Sequence, residues 1–427
     1  MNFAVKPFLY IPISLLFLFP LAFVAGPAIL EIFSFLVIVS LLIQNFFEKK
    51  KIYFFQNIVK FIFCFYLYIF FLSLFKNSLI EVFTDHFFYF RFLLFSICVC
   101  YLINIYPGIL KNFLFFFLVT YLFLITDQFY QFSFGKNLLG FEVNTVNRYS
   151  GMFGSELILG SYLSRLFPFL FGLIYISNLK NKKIILSLIS ILSVGSVFIS
   201  GERTALGLLF LSLFLIFIKK DLRKLSIYVI IFTILLLTFI SYFNKSQRYR
   251  IFIEPFHQMS LFKPMIMKKY SDVSTNYEDE NLQKFHIFSE HHHEHYVTAY
   301  NMFMKNILFG VGPDNFRVEC NNQSYAFGKA PCSTHPHNIL LQILSETGLI
   351  GFIFFIIAFY YVLREILKRY NRSMISLKDE LQYFILISFF INLWPFFPSG
   401  NMFNNWVSFI IYFPLGFYLY SSLKKND

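Results

Sequence analysis

The sequence is poor in charged residues. Asp, Glu, Lys and Arg make up only 14% of its 427 residues, whereas hydrophobic residues make up 57%. A soluble globular domain carries about a quarter charged residues, so the composition excludes that class of protein. The sequence instead predicts an all-α, polytopic integral membrane protein.

Acidic residues are the scarcer of the charged residues, and the formal net charge is +13. A basic excess is also typical of proteins that bind nucleic acid. Here the lysines and arginines flank apolar stretches, as they do on the cytoplasmic side of membrane proteins. We therefore expect the lipid bilayer as a partner and no nucleic acid.

Cysteine is scarce too, with five in the chain. Cys64, Cys98 and Cys100 lie in apolar runs, whereas Cys320 and Cys332 lie 12 residues apart in a polar stretch. Only the second pair suits a disulfide, and only in an oxidising compartment. We predict that this pair is bonded if the polar stretch lies outside the cytoplasm.

Motifs for metals and nucleotides are missing. The run from His291 to His295 contains one i,i+4 histidine pair, but it lacks the HExxH order and no third ligand follows at a suitable spacing. We interpret the run as a solvated helix face. The segment FGVGPDNFR at 309–317 has no P-loop lysine and favours a turn. The sequence also has no Asp-rich loop of the kind that binds a metal ion together with a diphosphate. We therefore predict neither a metal nor a cofactor.

Twelve stretches are apolar enough to span a bilayer, which takes ~20 residues each. They are 8–26, 28–47, 53–75, 86–105, 112–130, 155–178, 184–200, 203–218, 225–243, 348–367, 380–398 and 403–422. Basic residues cluster on every second connection, which places those connections and both termini in the cytoplasm. The predicted division is 1–243 with helices one to nine, 244–347 as a loop domain, and 348–427 with helices ten to twelve.

The longest polar stretch runs from Asn244 to His335, on the face opposite to the basic connections. Eight of the nine histidines lie in it or just beyond it, and it carries 10 basic and 9 acidic residues. This balance indicates a folded external domain between the ninth and tenth helices rather than a polybasic tail.

The stretch 332–351, CSTHPHNILLQILSETGLIG, sets polar side chains directly before a long apolar helix. His335, His337 and Asn338 stand at its start, and Glu346 follows at helical spacing. A histidine at a membrane edge is often only an interfacial polar residue. That interpretation stays open for His335, while we expect His337 to have a function.

The pattern H-x-H-N-x-x-L-Q-x-x-x-E-x-G-x-x-G, read from His335 to Gly351, resembles the signature of the O-antigen ligase and O-antigen polymerase superfamily. The resemblance extends to FGVGPDNF at 309–316 and to SGERTALG at 200–207. Members transfer glycans from polyprenyl diphosphate carriers outside the cytoplasmic membrane. The resemblance implies a metal-independent glycosyltransferase of the bacterial inner membrane with a periplasmic active site. It also implies that His335, Asn338 and Glu346 contact substrate.

Arg203 opens the eighth predicted span directly after Gly201 and Glu202. Free backbone N–H groups at a helix N-terminus favour an anion there. The alternative is an interfacial ion pair with Glu202, which contributes little when exposed. The resemblance favours a catalytic role for Arg203 in which it holds the carrier diphosphate.

Other arginines on the same face are further candidates. The family has an arginine near the start of the external loop, and either Arg248 or Arg250 matches that position, with interfacial anchoring as the alternative. Arg148 and Glu156, in the segment RYSGMFGSE, resemble a block of the superfamily and are secondary candidates for substrate binding.

Together these features predict an enzyme that transfers or polymerises an O-antigen-type glycan from undecaprenyl diphosphate to a sugar hydroxyl on a lipid-linked acceptor. His337 accepts or orients the hydroxyl proton. An oligosaccharyltransferase that modifies protein is one alternative, and a lipid or glycan transporter is another. The transporter predicts basic residues within the spans and paired broken helices, whereas this chain places its polar residues at one rim.

Overall fold

The computed structural model describes residues 9–48, 56–143, 148–259, 286–370 and 376–423. Helices are its dominant element in these ranges. Their bounds are α1 (Tyr10–Ala25), α2 (Pro27–Glu48), α3 (Asn57–Lys76), α4 (Leu79–Glu81), α5 (Phe90–Ile105), α6 (Ile109–Phe134), α7 (Leu159–Ile176), α8 (Lys182–Ser200), α9 (Arg203–Phe217), α10 (Arg223–Phe243), α11 (Lys245–Arg248), α12 (Glu254–Gln258), α13 (Glu290–Lys305), α14 (Phe316–Glu319), α15 (Ile339–Tyr370), α16 (Leu377–Asn392) and α17 (Asn405–Ser421).

The described residues contain seven helical segments that are long and apolar enough to cross a membrane, and the chain is a helical membrane protein. Those segments are Asn57–Lys76, Leu79–Ile105, Ile109–Phe134, Leu159–Ile176, Lys182–Ser200, Lys220–Phe243 and Ile339–Tyr370. Three shorter apolar helices are Tyr10–Ala25, Pro27–Ile43 and Arg203–Phe217. Each of the twelve predicted stretches overlaps a helix, and the number that crosses the bilayer remains a prediction.

Phenylalanine rings fill the centre of the bundle, where α1, α5 and α17 meet. The ring centroid of Phe19 lies 4.7 Å from those of both Phe95 and Phe413. All three side chains are fully buried, so the phenylalanine-rich composition supplies the core as well as surface. This packing fixes the helices whose ends carry the polar loops.

Basic side chains gather at one end of the bundle. Lys219 forms an ion pair with Glu380, which joins the α9–α10 connection to the start of α16. The Lys182 ammonium donates to the Tyr175 carbonyl at 2.9 Å, beside the ring of the same tyrosine. The predicted basic connections between spans are therefore neighbours in the fold.

The long loop between α10 and α15 lies at the other end and contacts several connections there. The Asn77 amide, just after α3, donates to Asn315 Oδ1 at 2.8 Å. The Gln247 amide in α11 donates to the Phe198 carbonyl at 2.7 Å, near the end of α8. The loop thus joins helix ends from distant parts of the sequence.

Helix α15 begins at Ile339, nine residues before the predicted span, and contains a break at Gly348 (φ 63°, ψ −163°). The backbone of 307–312 pairs with the groups around this break: Val311 N–H donates to the Ser345 carbonyl at 2.8 Å, and Leu349 N–H donates to the Ile307 carbonyl at 2.8 Å. A Cβ on Gly310 would lie 2.5 Å from the Glu346 backbone carbon. Glycine is needed at Gly310 and Gly348 because two backbones meet here.

A small apolar cluster stabilises the loop independently of the bundle. It contains Ala299, Met302, Val311, Phe316 and Cys320. The structure places Cys320 and Cys332 in a disulfide with a Cα–Cα distance of 5.1 Å. Cys332 directly precedes the segment Ser333–Asn338, so the disulfide holds the start of this segment next to the apolar cluster.

We expect that replacing Cys320 and Cys332 with serine lowers the free energy of unfolding of this loop by ~3 kcal/mol, because the chain-entropy account assigns about that value to a loop of this size. Denaturant-dependent protease cleavage at 286–338 measures the change. Cys64→Ser is the matched control, since Cys64 is a free, exposed cysteine. Equal protection in the double variant and the control would contradict the prediction.

Candidate active site

The segment before α15 is fixed by the loop between α16 and α17. Asn338 Oδ1 accepts from Leu341 N–H at 3.1 Å and so caps the start of α15. The Asn338 amide nitrogen donates to the Pro395 carbonyl at 2.8 Å. His335 Nε2 donates to the Ser399 carbonyl at 3.0 Å, since a carbonyl can only accept. His335 and Asn338 are therefore held by backbone groups of a distant loop.

His337 has a left-handed backbone, with φ at 55°. Such a conformation is uncommon for a residue other than glycine and persists where surrounding contacts hold it. Ser399 N–H donates to the His337 carbonyl at 2.9 Å, and the Tyr296 hydroxyl donates to the same carbonyl at 3.5 Å. The imidazole Nε2 lies 2.9 Å from the Ser333 hydroxyl. These contacts set the direction in which the ring points.

Three histidines converge around His337. Its ring centroid lies 4.1 Å from that of His335, 5.3 Å from that of His292 and 5.5 Å from that of His295. His292 and His295 belong to α13, where a spacing of three places them on one helix face. His295 is buried and His292 half-buried. The interpretation of this run as a solvated face is therefore wrong for these two residues.

Burial and mutual repulsion keep the cluster neutral. Burial, followed by the repulsion of His335, His292 and His295, lowers the pKa of His337 to about 3. Burial, followed by the repulsion of His295 and Arg203, lowers the pKa of His292 to about 4. Since both pKa values lie far below neutrality, each ring keeps an unprotonated nitrogen at neutral pH that can accept a proton.

Three arginines form a second cluster, which we call the arginine cluster: Arg148, Arg203 and Arg250. Arg250 Nε donates to the Gly201 carbonyl at 3.2 Å, and its guanidinium lies 3.8 Å from Glu254. Arg148 donates to the Leu157 carbonyl at 3.1 Å, and its Nε is buried without a partner among the described residues.

The electrostatics of Arg148 connect the three members of the arginine cluster. Burial lowers the pKa of Arg148, the Glu202 carboxylate raises it, and the charges of Arg250 and Arg203 lower it further. Hydrogen bonds show how their segments meet. Arg250 donates to the Gly201 carbonyl, two residues before Arg203, and Arg148 donates to the Leu157 carbonyl, next to the start of α7 that Glu202 holds.

Glu202 does not serve as a simple ion-pair partner for Arg203. Its carboxylate accepts from Gly160 N–H at 2.7 Å and from the Ser161 N–H and hydroxyl at 2.9 and 2.8 Å. It thereby caps the start of α7 and ties it to the α8–α9 turn. Burial lowers the pKa of Arg203 at the start of α9, the Glu254 carboxylate raises it, and the charge of Arg250 lowers it.

The two clusters adjoin each other. Repulsion from Arg203 contributes to the lowered pKa of His292, and the His292 ring lies 5.3 Å from that of His337. His292 thus connects the two residues, since the charge of Arg203 acts on it and its ring is next to that of His337; Arg203 and His337 are 134 positions apart in the sequence. An anion next to the arginines would lie within the electrostatic reach of His337.

The remaining candidates fall in different places. Arg248 is exposed, so the arrangement favours Arg250 as the second arginine beside Arg203. Glu156 is exposed in the turn before α7. Glu346 is fully buried, where its Oε1 accepts from Phe316 N–H at 3.2 Å and its Oε2 accepts from the Gln342 amide at 3.1 Å. Its position indicates a structural link between α14 and α15.

A polar chain that the sequence did not suggest runs from Glu346 to the α16–α17 loop. The Gln342 amide donates to Asn401 Oδ1 at 2.6 Å, and Met402 N–H donates to Gln342 Oε1 at 3.0 Å. The Asn401 amide nitrogen donates to Asp314 Oδ1 at 2.9 Å. Glu346, Gln342 and Asn401 are buried. Asn401 lies two residues from Ser399, which holds both histidines of the motif. We therefore regard Asn401 as a positioning residue for His337.

The variant Asn401→Asp is expected to lower kcat for transfer about 10- to 100-fold, because misplacement by about 1 Å can cost that much. The substitution removes the amide that donates to Asp314 and puts two carboxylates next to each other. In the double variant with Asp314→Asn, the amide is on residue 314 and the carboxylate on residue 401, so the hydrogen bond can form in the opposite direction. We therefore expect partial recovery of kcat, and in both variants little change in KM for the glycan donor.

The control for that prediction is Asn404→Ala. Asn404 lies in the same loop but only caps α17, where its Oδ1 accepts from Trp406 N–H at 2.9 Å. Steady-state kinetics on folded, membrane-inserted protein provide the measurement. If Asn401→Asp and Asn404→Ala have the same kcat, or if the double variant shows no recovery, Asn401 does not position His337.

Within the ranges that the structure describes, no group of three or more His, Cys, Asp or Glu side chains is arranged to hold a metal ion. Independence of metal remains a prediction, which a chelator tests.

The same part of the chain matches a known family. The family model described as O-antigen ligase matches residues 188–356. Residues 188–356 are thus similar to the O-antigen ligase family, and we refer to them as the O-antigen ligase domain. The resemblance found in the sequence is thereby confirmed, and a comparison with curated proteins gives no match. The O-antigen ligase domain runs from within α8 into α15, so it contains Arg203, Arg250 and the four clustered histidines.

Several parts of the site lie outside the O-antigen ligase domain. They are Arg148, Glu156 and the α16–α17 loop with Ser399 and Asn401. A signal for His292 and His295 is present in the sequence, because a spacing of three puts them on one helix face and His292 is four residues before Tyr296. No such signal exists for Asn401, which meets Gln342 only through the packing of α15 against α16.

Proposed function

We propose that this protein is a membrane glycosyltransferase that moves a glycan from a polyprenyl diphosphate, of the undecaprenyl type, to a sugar hydroxyl on a lipid-linked acceptor. The observation that carries the proposal is the arginine cluster next to a neutral histidine cluster. The O-antigen ligase domain supports a glycan transferase of this general type.

The arginine cluster suits the donor diphosphate. Planar guanidinium groups bind phosphate oxygens through paired N–H donors. The buried Nε of Arg148 has no partner in the described structure and is a further donor for an anion. We propose that Arg203 and Arg250 hold the diphosphate and that Arg148 supports them.

His337 suits the acceptor hydroxyl. In the reaction, the acceptor oxygen forms a bond to the anomeric carbon of the donor glycan, and the bond from that carbon to the diphosphate oxygen breaks. The diphosphate leaves with the bonding electron pair, its charge compensated by arginines, while the hydroxyl proton passes to His337. The bound donor's negative charge stabilises the imidazolium, so it raises the pKa of His337 from its low value in the free protein.

The acceptor decides between the two forms of the proposal. A polymerase uses another carrier-linked glycan, and a ligase uses a lipid A core. Purified protein should be given one labelled donor and, separately, a carrier-linked repeat, a lipid A core and a peptide acceptor. Glycosylated peptide would identify a protein oligosaccharyltransferase instead. Donor moved across vesicles without any new glycosidic bond would identify a transporter.

The site is proposed to face the periplasm of a bacterial inner membrane. Basic residues on alternate connections predict this orientation, and Lys219 and Lys182 do lie at the end opposite to the histidines. Reporter fusions at Lys220 and Tyr277 should therefore give opposite signals. Tyr277 lies outside the described residues. Cytoplasmic signals from both fusions would contradict the proposed location.

A further inference from the structure

A deep apolar groove lies between α3, α15, α16 and α17. Its volume is about 530 Å³. Most of its lining is aliphatic or aromatic, with Phe61 and Phe65 from α3, Phe355 and Ala358 from α15, and Ile411 from α17. The part of α3 that lines it, from Asn57 to Phe65, covers ~12 Å along the helix axis. The groove therefore runs along the helices rather than across them.

Three hydroxyl groups along the groove, those of Tyr89, Ser408 and Tyr361, already have partners. At the end nearer the histidines, the Tyr89 hydroxyl lies 3.0 Å from the Ser408 hydroxyl and 3.4 Å from the Met402 carbonyl. At the other end, the Tyr361 and Tyr418 hydroxyls are 2.9 Å apart. Paired hydroxyls offer little to a polar ligand, so the groove suits a hydrocarbon chain.

The groove is continuous with the proposed acceptor site. Its lining includes Ile343, Leu393 and Met402. Ile343 follows Gln342 in α15, and Met402 N–H donates to Gln342 Oε1 at 3.0 Å. Leu393 and Met402 also lie at the two ends of the loop that holds His335 and His337. By contrast, no lining residue comes from the segments that carry the arginine cluster.

We propose that this groove binds the isoprenoid tail of a carrier-linked acceptor, so that the acceptor sugar lies at His337. The inference rests on the proposed function and deepens it by naming the acceptor class. At about 30 Å³ per water-sized group, the groove has room for roughly 18 carbon-sized groups, or roughly three to four isoprene units of one chain. The same volume does not hold the several chains of a multiply acylated lipid at once.

Photolabelling of the full-length protein in nanodiscs tests the groove separately from catalysis. The probe is a polyprenyl phosphate with a diazirine in its tail, and mass spectrometry locates the labelled peptides. We expect labels on the lining segments of α3, α15 and α17, competed by unlabelled polyprenyl phosphate but not by excess diacyl phospholipid. Labelling should persist in Arg203→Ala, because the donor site is separate.

Ala358→Trp should fill the groove and reduce this labelling at least 10-fold. Ile356→Trp is the matched control, since Ile356 is exposed on the same helix and does not line the groove. Ile411→Trp obstructs the opposite wall and replaces Ala358→Trp if that protein does not fold. Absence of labels from the groove, equal competition by phospholipid, or unchanged labelling in both groove variants would overturn the proposal.

Kinetics separate failure of the groove from failure of the proposed function. Ala358→Trp should raise KM at least 10-fold for a polyprenyl-linked acceptor and leave KM unchanged for a water-soluble acceptor sugar. Selective labelling of a protein that transfers no glycan would support the groove and overturn the proposed function. Normal kinetics in Ala358→Trp would overturn the role of the groove in acceptor binding and leave the transferase intact.

Discussion

Replacing His337 with alanine is expected to slow glycan transfer by about 10²- to 10⁴-fold, the usual effect of losing a general base, while donor binding stays intact. The reason is that the ring is neutral in the free protein, where burial and its neighbouring histidines lower the pKa of His337 to about 3. Carrier-linked glycan should accumulate. Transfer rate and donor affinity, measured on the same folded preparation, check the prediction.

His291→Ala is the matched control for that variant, because His291 is exposed on α13. The pH profile gives a second readout. In the free enzyme the low pKa of His337 puts the acid limb of kcat/KM far below pH 6.5, whereas the bound donor raises that pKa and moves the acid limb of kcat to higher pH. A normal transfer rate in His337→Ala would make His337 an interfacial residue only.

Replacing Arg203 with alanine is expected to weaken productive donor binding and transfer about 10²- to 10³-fold, as the loss of a preorganised donor to a developing anion does. Arg203 lies where α9 begins, and its charge acts on both Arg148 and His292. Arg203→Lys should recover only part of the loss, since a point charge does not reproduce the planar fork. Donor titration and single-turnover kinetics give the two quantities.

Arg248→Ala is the control for the arginine prediction. Arg248 is exposed in α11, whereas Arg250 donates to the Gly201 carbonyl at 3.2 Å, two residues before Arg203. Arg250→Ala should therefore reduce donor binding and Arg248→Ala should not. A larger loss in Arg248→Ala than in Arg203→Ala would place the diphosphate elsewhere.

Local sequence patterns predicted most of the helices but not which segments contact one another. The apolar stretches indicated the helices because each has a continuous apolar length. The predicted span began at 348, since the polar residues of 339–347 lower the mean hydropathy there. Those residues are buried by the external loop, as Glu346 and Gln342 show, and such tertiary burial leaves no trace in hydropathy.

The site itself was predictable only in part. His337 and Arg203 stand in motifs, whereas the choice between Arg248 and Arg250 depends on which side of a short helical segment faces Gly201. The histidine run on α13 was assigned to solvent because the sequence does not show that α13 packs against α15. Asn401 was missed because its partners lie 59 and 87 positions away in the chain, beyond the reach of any local pattern.

The most direct measurement is carrier release by the purified protein in vesicles, with a polyprenyl diphosphate-linked glycan, a lipid-linked acceptor and a chelator present. The proposed mechanism predicts one free polyprenyl diphosphate for every glycosidic bond formed, with undiminished rate in the chelator and loss of both products in His337→Ala. Release without bond formation, or bond formation that stops in chelator and returns with a divalent ion, would contradict it.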